Sequence, residues 1–420
     1  MCVGWSCCFP CSNDRLSVTA PSTDTSLPDP LLGDEPHSFV HHTITVRWPR
    51  IAQQVIADNE YPIDVNRRIQ ALIDDIPDTP IRPIDDPGAP DEAFWNERLA
   101  TYEGMGWLEC PWFVGETYFY RRLMEATGYF QSGPTRYDDP FATQKHKGYV
   151  ESAEAIRTLA RVRAEADDGD PRAVLTRLLS VALWGNQADL SLWAADAEGP
   201  DHLSSGEEDE HVLGDDTTAV LDHLSGLGRP ARVDVWADNA GFELITDLAL
   251  IDGLIATGVA DPVVLHLKAH PTFVSDVTIG DVHDALDRCA ADEDAAVQAL
   301  SGRLRTELRE GRLRLQDELV WTSPLRGREF PPNVNAELAR ADLVISKGDA
   351  NYRRVLGDRE WPYTTPFADV VDYFPAPLLA LRTMKAETVA GLEQAQVDRL
   401  EQEDPDWMVN GRWGLLQFAA

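Results

Sequence analysis

The chemistry available to this chain rests on two short acidic motifs and a few scarce lysines. Asp238 and Asn239 stand side by side in Ala237-Asp-Asn-Ala-Gly-Phe-Glu243, and Asp276 closes Lys268-Ala-His-Pro-Thr-Phe-Val-Ser-Asp276. Two carboxylates and an amide are all oxygen donors, a set that suits a hard cation such as Mg2+ or Mn2+ better than zinc. Taken alone, Asp238 could equally cap a helix. Further on, Lys347-Gly348-Asp349 lies between a strand and a helix, where Gly348 lets backbone N–H groups approach an anion at the positive helix end. Lys385, in Arg382-Thr-Met-Lys385, adds a compact positive charge; its alternative is a solvated surface residue, as an ordinary turn is for Lys-Gly-Asp. Together these groups form the set a bound phosphate needs: cation and lysine to neutralise charge, amides to orient oxygens. Lysine occurs only at Lys145, Lys147, Lys268, Lys347 and Lys385, and three of these five lie in the motifs just named.

The elements that must position these motifs are legible from periodicity. Arg232–Trp236, Val263–Leu267, Leu343–Ile345 and Leu378–Leu381 are apolar, β-branched runs that read as strands. Between them, Phe242–Ile255 carries apolar residues at 244, 245, 248, 251 and 255, one face of a helix, and Ile279–Leu300 is a second helical region. This alternation predicts an α/β fold with a mainly parallel sheet, a Rossmann-like αβα core, whose ligands gather beyond the carboxyl ends of the strands. Each motif follows one of these strands. No glycine-rich dinucleotide or P-loop fingerprint is present, and Gly-x-Ser-x-Gly is missing, so neither a nucleotide enzyme nor a Ser-His-Asp hydrolase is supported.

Before that core, from about Pro49 to Ala195, the pattern is mainly helical, as in Arg50–Ile56, Trp112–Tyr129 and Ala153–Arg163. We therefore expect a flexible tail over 1–36, a helical N-terminal subdomain over 37–215 and the core over 216–420, with the acidic run Ser204–Glu210 as a solvated linker. Four of the six cysteines crowd the first eleven residues. No second pair with ligand spacing follows Cys8 and Cys11, so a disordered leader is favoured over a zinc site, and a secreted disulfide framework is excluded. With 71 acidic and 37 basic residues the formal charge is -34. That balance argues against nucleic acid and anionic membranes as partners. No apolar run approaches membrane-spanning length, and a cytoplasmic location is expected.

The motifs around Asp238, Lys268–Asp276, Lys347–Arg353 and Arg382–Lys385 resemble those of the metal-dependent damage-control phosphatases, the domain of unknown function 89 family. The Arg-Thr-x-Lys form resembles its sugar-phosphate branch, which includes proteins described as acidic-residue methyltransferases. Glu109–Arg122 and Leu183–Ser191 in the helical half are similar to that branch as well, and the resemblance spans about residues 40 to 415. It implies one divalent cation, Mn2+ or Mg2+ with Co2+ or Ni2+ as alternatives, held by Asp238, Asn239 and Asp276, with Glu243 close by. It further implies a phosphorylated small-molecule substrate bound by Lys385, Arg382 and the loop of Lys347, Gly348, Asp349, Ala350 and Asn351. Glu116, Tyr118, Arg122 and Asn186 are candidates to close over a sugar, with core or capping roles as their alternative. The implied reaction is hydrolysis of phosphomonoesters such as fructose 1-phosphate, with Asp276 or Glu243 as general base and Lys385 neutralising the phosphoryl oxygens; an aspartyl-phosphate route stays open. The alternative function is S-adenosylmethionine-dependent protein-glutamate O-methylation, ranked lower for want of a glycine-rich adenosine loop.

Overall fold

The structure is a computed structural model that describes residues 27–165, 169–185 and 211–420. Cys2 to Cys11, Asn186 and the Ser204–Glu210 linker lie outside the described residues.

A seven-stranded sheet organises the chain: β1 (Val212–Asp215), β2 (Ala231–Trp236), β3 (Ala260–Lys268), β4 (Leu313–Glu318), β5 (Leu343–Lys347), β6 (Leu378–Thr383) and β7 (Gly414–Ala419). Their spatial order is β1-β7-β6-β5-β2-β3-β4, and all neighbours are parallel except β6 and β7. The chain thus steps outward from β2 to β3 and β4, then returns to lay β5 on the other side of β2. Connections leave β2 and β5 in opposite directions, which opens a crevice between their carboxyl ends.

Side chains alternate across the strands and so divide between two layers. Val233, Val235, Leu343, Ile345, Leu379 and Leu381 face one apolar cluster, while Trp236, Val344, Leu378 and Ala380 face the other. The second layer holds α1 (Phe39–His42), α2 (Trp48–Asp58), α3 (Ile63–Asp75), α4 (Glu92–Leu99) and α5 (Trp112–Thr127). α6 (Ala142–Glu151) lies at its margin, and α7 (Ala153–Glu165) and α8 (Pro171–Trp184) belong to the first layer. So do α9 (Thr217–Gly226), α10 (Phe242–Ala256), α11 (Ile279–Ala291) and α12 (Ala295–Glu310). The chain then returns to the second layer with α13 (Pro332–Leu338), α14 (Gly348–Leu356), α15 (Phe367–Val370) and α16 (Gln394–Glu403). The αβα architecture expected from the sequence is present.

Two expected boundaries are corrected. The division at residue 215 cuts through the packing, because β1 pairs with β7 and α7 and α8 bury their apolar faces in the same cluster as α10. The tail expected over 1–36 is docked from its last ten residues: Leu31 is 7% exposed, its N–H donates to Asp358 O, its carbonyl accepts from Trp112 N, and Gly33 N donates to Leu108 O. Proline and aspartate dominated the reading of that stretch, while its lone Leu31-Leu32 pair supplies the anchor. Deleting residues 1–36 is therefore expected to destabilise the protein by about 3 kcal/mol relative to deleting 1–26, one buried leucine plus several hydrogen bonds. A thermal melt of the two truncations checks this, and equal melting temperatures would contradict it.

Candidate active site

Asp238 and Asn239 leave the end of β2 directly at the crevice. Across it, Gly348 opens α14 with φ +81, and a Cβ built on it would lie 2.0 Å from Asp238 Oδ2. Glycine is required there twice, once by the backbone angle and once because the Asp238 carboxylate fills the place of a side chain. The ends of β2 and β5 are therefore in contact through a carboxylate and a bare backbone.

The loop after β3 delivers Asp276 to the same place. Phe273 and Val274 both have positive φ, +48 and +68, and a β-branched residue in that region is strained. The turn they make brings the chain back along the Asp238 loop: Val277 N donates to Asp238 O at 2.9 Å, Ala240 N donates to Ser275 O at 2.7 Å, and Asn239 and Asp276 form a bridge pair. Ser275 Oγ donates to Asn239 Oδ1, and the Asn239 amide nitrogen donates to Asp238 Oδ2 at 2.7 Å and Glu243 Oε2 at 2.8 Å. Asp276 Oδ2 meets Lys268 Nζ at 3.1 Å, and Lys268 also donates to Asn351 Oδ1 at 3.3 Å.

Electrostatics follow from burial of like charges. Asp238 is 5% exposed and Asp276 1%. Burial, then the neighbouring carboxylates of Asp276 and Glu243, push Asp238 well above the usual carboxylate range. Burial also raises Asp276, against the pull of Lys268. Among the described residues Asp238 Oδ1 has no hydrogen-bond partner, and Asp276 Oδ2 has only its ionic contact with Lys268. A buried carboxylate oxygen without a donor is costly unless something positive completes it. Among the described residues no three His, Cys, Asp or Glu side chains converge as a cage. A cation here would rest on the Asp238 and Asp276 carboxylates, with Asn239 Oδ1, which keeps a free lone pair beside its bond from Ser275. This oxygen set fits a hard divalent cation that retains several waters.

The family model for the damage-control phosphatase ARMT1-like domain matches residues 43–400, from α2's approach to the end of α16. The chain belongs to this family. Among its relatives are the damage-control phosphatase ARMT1 of Danio rerio, 32% identical over 91% of this chain and 95% of that protein, and that of Mus musculus, 32% identical over 91% and 96%. The Homo sapiens ARMT1 is 29% identical over 93% of this chain and 98% of that one. A crystal structure of a DUF89 family protein from Pyrococcus horikoshii shares 14% identity over 90% of this chain and 98% of that chain, with a TM-score of 0.47. As a damage-control phosphatase the protein is an enzyme of phosphate chemistry, and no described helix is long and apolar enough to cross a membrane.

Within this phosphatase several residues expected to touch substrate are committed to the protein itself. Lys347, 1% exposed, turns inward to Ala182 O at 2.6 Å, Asp247 Oδ1 at 3.1 Å and Glu243 Oε1 at 3.3 Å. Burial, partly offset by Lys347, pushes Asp247 up to about 7. Arg382 spends its guanidinium on Asp349 Oδ1 at 2.8 Å and on the carbonyls of Thr388 and Ala386, over the Tyr352 ring. Asn351 donates to Lys347 O at 2.8 Å and Ala237 O at 3.1 Å, which ties α14 to the end of β2. Glu116 is paired with Arg353, and Arg122 with Tyr118 and Asp75. In this structure each of these side chains is engaged by groups of the fold, which gives it a positioning role here.

What stays available at the crevice is a smaller set. Asp349 and Ala350 are half-buried in the first turn of α14, whose Lys347 N-cap makes no side-chain hydrogen bond, so the helix presents its first N–H groups. Lys385 is half-buried beside them, its backbone N–H on Asp349 Oδ1 at 3.1 Å. Among the described residues it is the one lysine whose ammonium has no carboxylate within 4.0 Å. Ser275 and Lys268, which hold Asn239 and Asp276 in place, were passed over as site residues although both lie in the Lys268–Asp276 motif. A cleft of about 730 Å3 opens alongside, between α6 and α11, sharing Ala240, Gly241 and Lys268 with this region but not Asp238, Asp276 or Lys385.

Proposed function

We propose that this damage-control phosphatase hydrolyses phosphomonoesters of sugar phosphates, of the fructose 1-phosphate kind, with a divalent cation, Mn2+ or Mg2+, held by Asp238, Asn239 and Asp276. The observation that supports this most is Asp238 Oδ1, which has no hydrogen-bond partner among the described residues and is buried among like charges against Gly348 in the first turn of α14. The bound cation supplies Lewis-acid charge and lowers the pKa of water. Lys385 neutralises a phosphoryl oxygen, and the N–H groups of Gly348, Asp349 and Ala350 orient the others at the positive end of α14. Arg382 serves this arrangement indirectly, by fixing Asp349 and hence the backbone of Lys385. Asp276 and Glu243 are the carboxylates placed to accept the proton of the attacking water. Lys268 pairs with Asp276 at 3.1 Å and Lys347 with Glu243 at 3.3 Å.

The test is phosphate release by the purified full chain from fructose 1-phosphate and other sugar phosphates, with Mn2+ and with EDTA, beside a methyl-transfer assay with S-adenosylmethionine. Phosphate release is expected only with the cation, and no methyl transfer. Undiminished release in EDTA would overturn the metal, and methyl transfer without phosphate release would overturn the reaction.

A further inference from the structure

Asp247 is a buried charge short of partners. It is 1% exposed on α10, its Oδ1 meets Lys347 Nζ at 3.1 Å, and among the described residues its Oδ2 has no hydrogen-bond partner. A carboxylate left with so few donors inside a fold is costly. Its position adds to the cost, because Glu243 stands four residues earlier on the same helical face and like charges at that spacing repel. Lys347 does not need Asp247 for its own satisfaction: Glu243 Oε1 at 3.3 Å supplies a counter-charge and Ala182 O at 2.6 Å an acceptor. A group that burdens the core, and that its one partner could do without, points to a use at the neighbouring site.

Two links lead there, of which the first is orientation. Asn239 offers its amide oxygen to a cation only while its nitrogen is held elsewhere, by Asp238 Oδ2 at 2.7 Å and Glu243 Oε2 at 2.8 Å. Asp238 is itself a cation ligand in the reading above, so Glu243 is the acceptor that remains. By taking part of the Lys347 charge, Asp247 leaves Glu243 the negative charge with which it holds that amide. The second link is charge balance. Asp238, Glu243, Asp247 and Asp276 are all buried, as are Lys268 and Lys347, the ammoniums paired with three of them. Four carboxylates against two ammoniums leave two negative charges, which one divalent ion balances. Without Asp247 only one remains.

We propose that Asp247 is a positioning residue for the cation site, sharing Lys347 with Glu243 so that Asn239 stays oriented and the buried cluster keeps the two negative charges that a divalent ion balances. This rests on the cation reading above. The test is Mn2+ binding by the EDTA-stripped full chain at about pH 8, above the value of about 7 to which burial raises Asp247, read by electron paramagnetic resonance beside a thermal melt in EDTA. Asp247→Asn keeps the shape and Asp247→Leu roughly the volume, and both remove the charge. Each is expected to weaken Mn2+ binding about tenfold, with a metal-free melting temperature no lower than that of wild type. Unchanged Mn2+ affinity in Asp247→Asn, or a weakening confined to Asp247→Leu, would overturn the inference. So would a lower melting temperature in both variants, which would make Asp247 a structural partner of Lys347. A wild type that binds no Mn2+ would overturn the cation reading itself, and the role of Asp247 with it.

Discussion

Asp238→Asn is expected to lower kcat/KM by about 1,000-fold, some 4 kcal/mol, and at the same time to raise the melting temperature of the metal-free protein. Both effects come from one arrangement. The Asp238 carboxylate is buried beside those of Asp276 and Glu243, and among the described residues one of its oxygens has no hydrogen-bond partner. Removing that charge relieves repulsion by about 1 kcal/mol, as is common where a site holds like charges for function. Asparagine has nearly the same shape, so the close approach of Gly348 is undisturbed and a loss of activity cannot be blamed on a clash. Steady-state kinetics and a thermal melt in EDTA read the two effects separately. A variant that is less stable would make Asp238 a structural cap, and one that is fully active would remove it from the site.

Lys385→Ala should cost about 2 to 4 kcal/mol in kcat/KM, roughly 10- to 1,000-fold, with little change in fold or in cation affinity. Four of the five lysines have a carboxylate within reach: Lys145 with Asp139 and Asp281, Lys147 with Glu151, Lys268 with Asp276, and Lys347 with Asp247 and Glu243. Lys385 is different. Its backbone N–H is fixed by Asp349, which is itself fixed by Arg382, while among the described residues its ammonium has no carboxylate within 4.0 Å. A free charge on a fixed backbone is what a phosphoryl oxygen would engage. Lys385→Arg should rescue only in part, since a planar guanidinium does not replace a compact charge at close range. Wild-type kinetics in Lys385→Ala would return this residue to the solvated surface.

The sequence was informative where one strand's burial decides its composition. β2, β3, β5 and β6 are largely covered on both faces, so they read as runs rich in apolar residues, and the motifs that follow them lie at the carboxyl ends of a mainly parallel sheet. The edge strands β1 and β4 are half-exposed and lack such runs, and β7 beside β1 carries glycine and glutamine, so none of the three was recognised. Ile279–Leu300 was read as one helical region and is two helices, α11 and α12, broken at Asp292.

Within the site, residue type and position were legible but commitment was not. Lys347 and Lys385 look alike in sequence, and only the fold reveals that Lys347 is claimed by Asp247, Glu243 and Ala182 O. A signal for this existed in Glu243 and Asp247, four residues apart on α10 and hence on one helical face. Arg382 and Asn351 each have one side-chain partner, Asp349 and Lys268, but their other partners are backbone carbonyls that any sequence could supply.

As proposed above, phosphate ester hydrolysis depends on a cation held by Asp238, Asn239 and Asp276. It is tested most directly by titrating EDTA-stripped protein with Mn2+, counting bound ion by electron paramagnetic resonance, and measuring phosphate release from fructose 1-phosphate in the same samples. The predicted result is a rate that rises in proportion to occupancy and saturates at one ion per chain, with neither binding nor rate in Asp238→Asn. Full phosphate release from protein that binds no ion would contradict it.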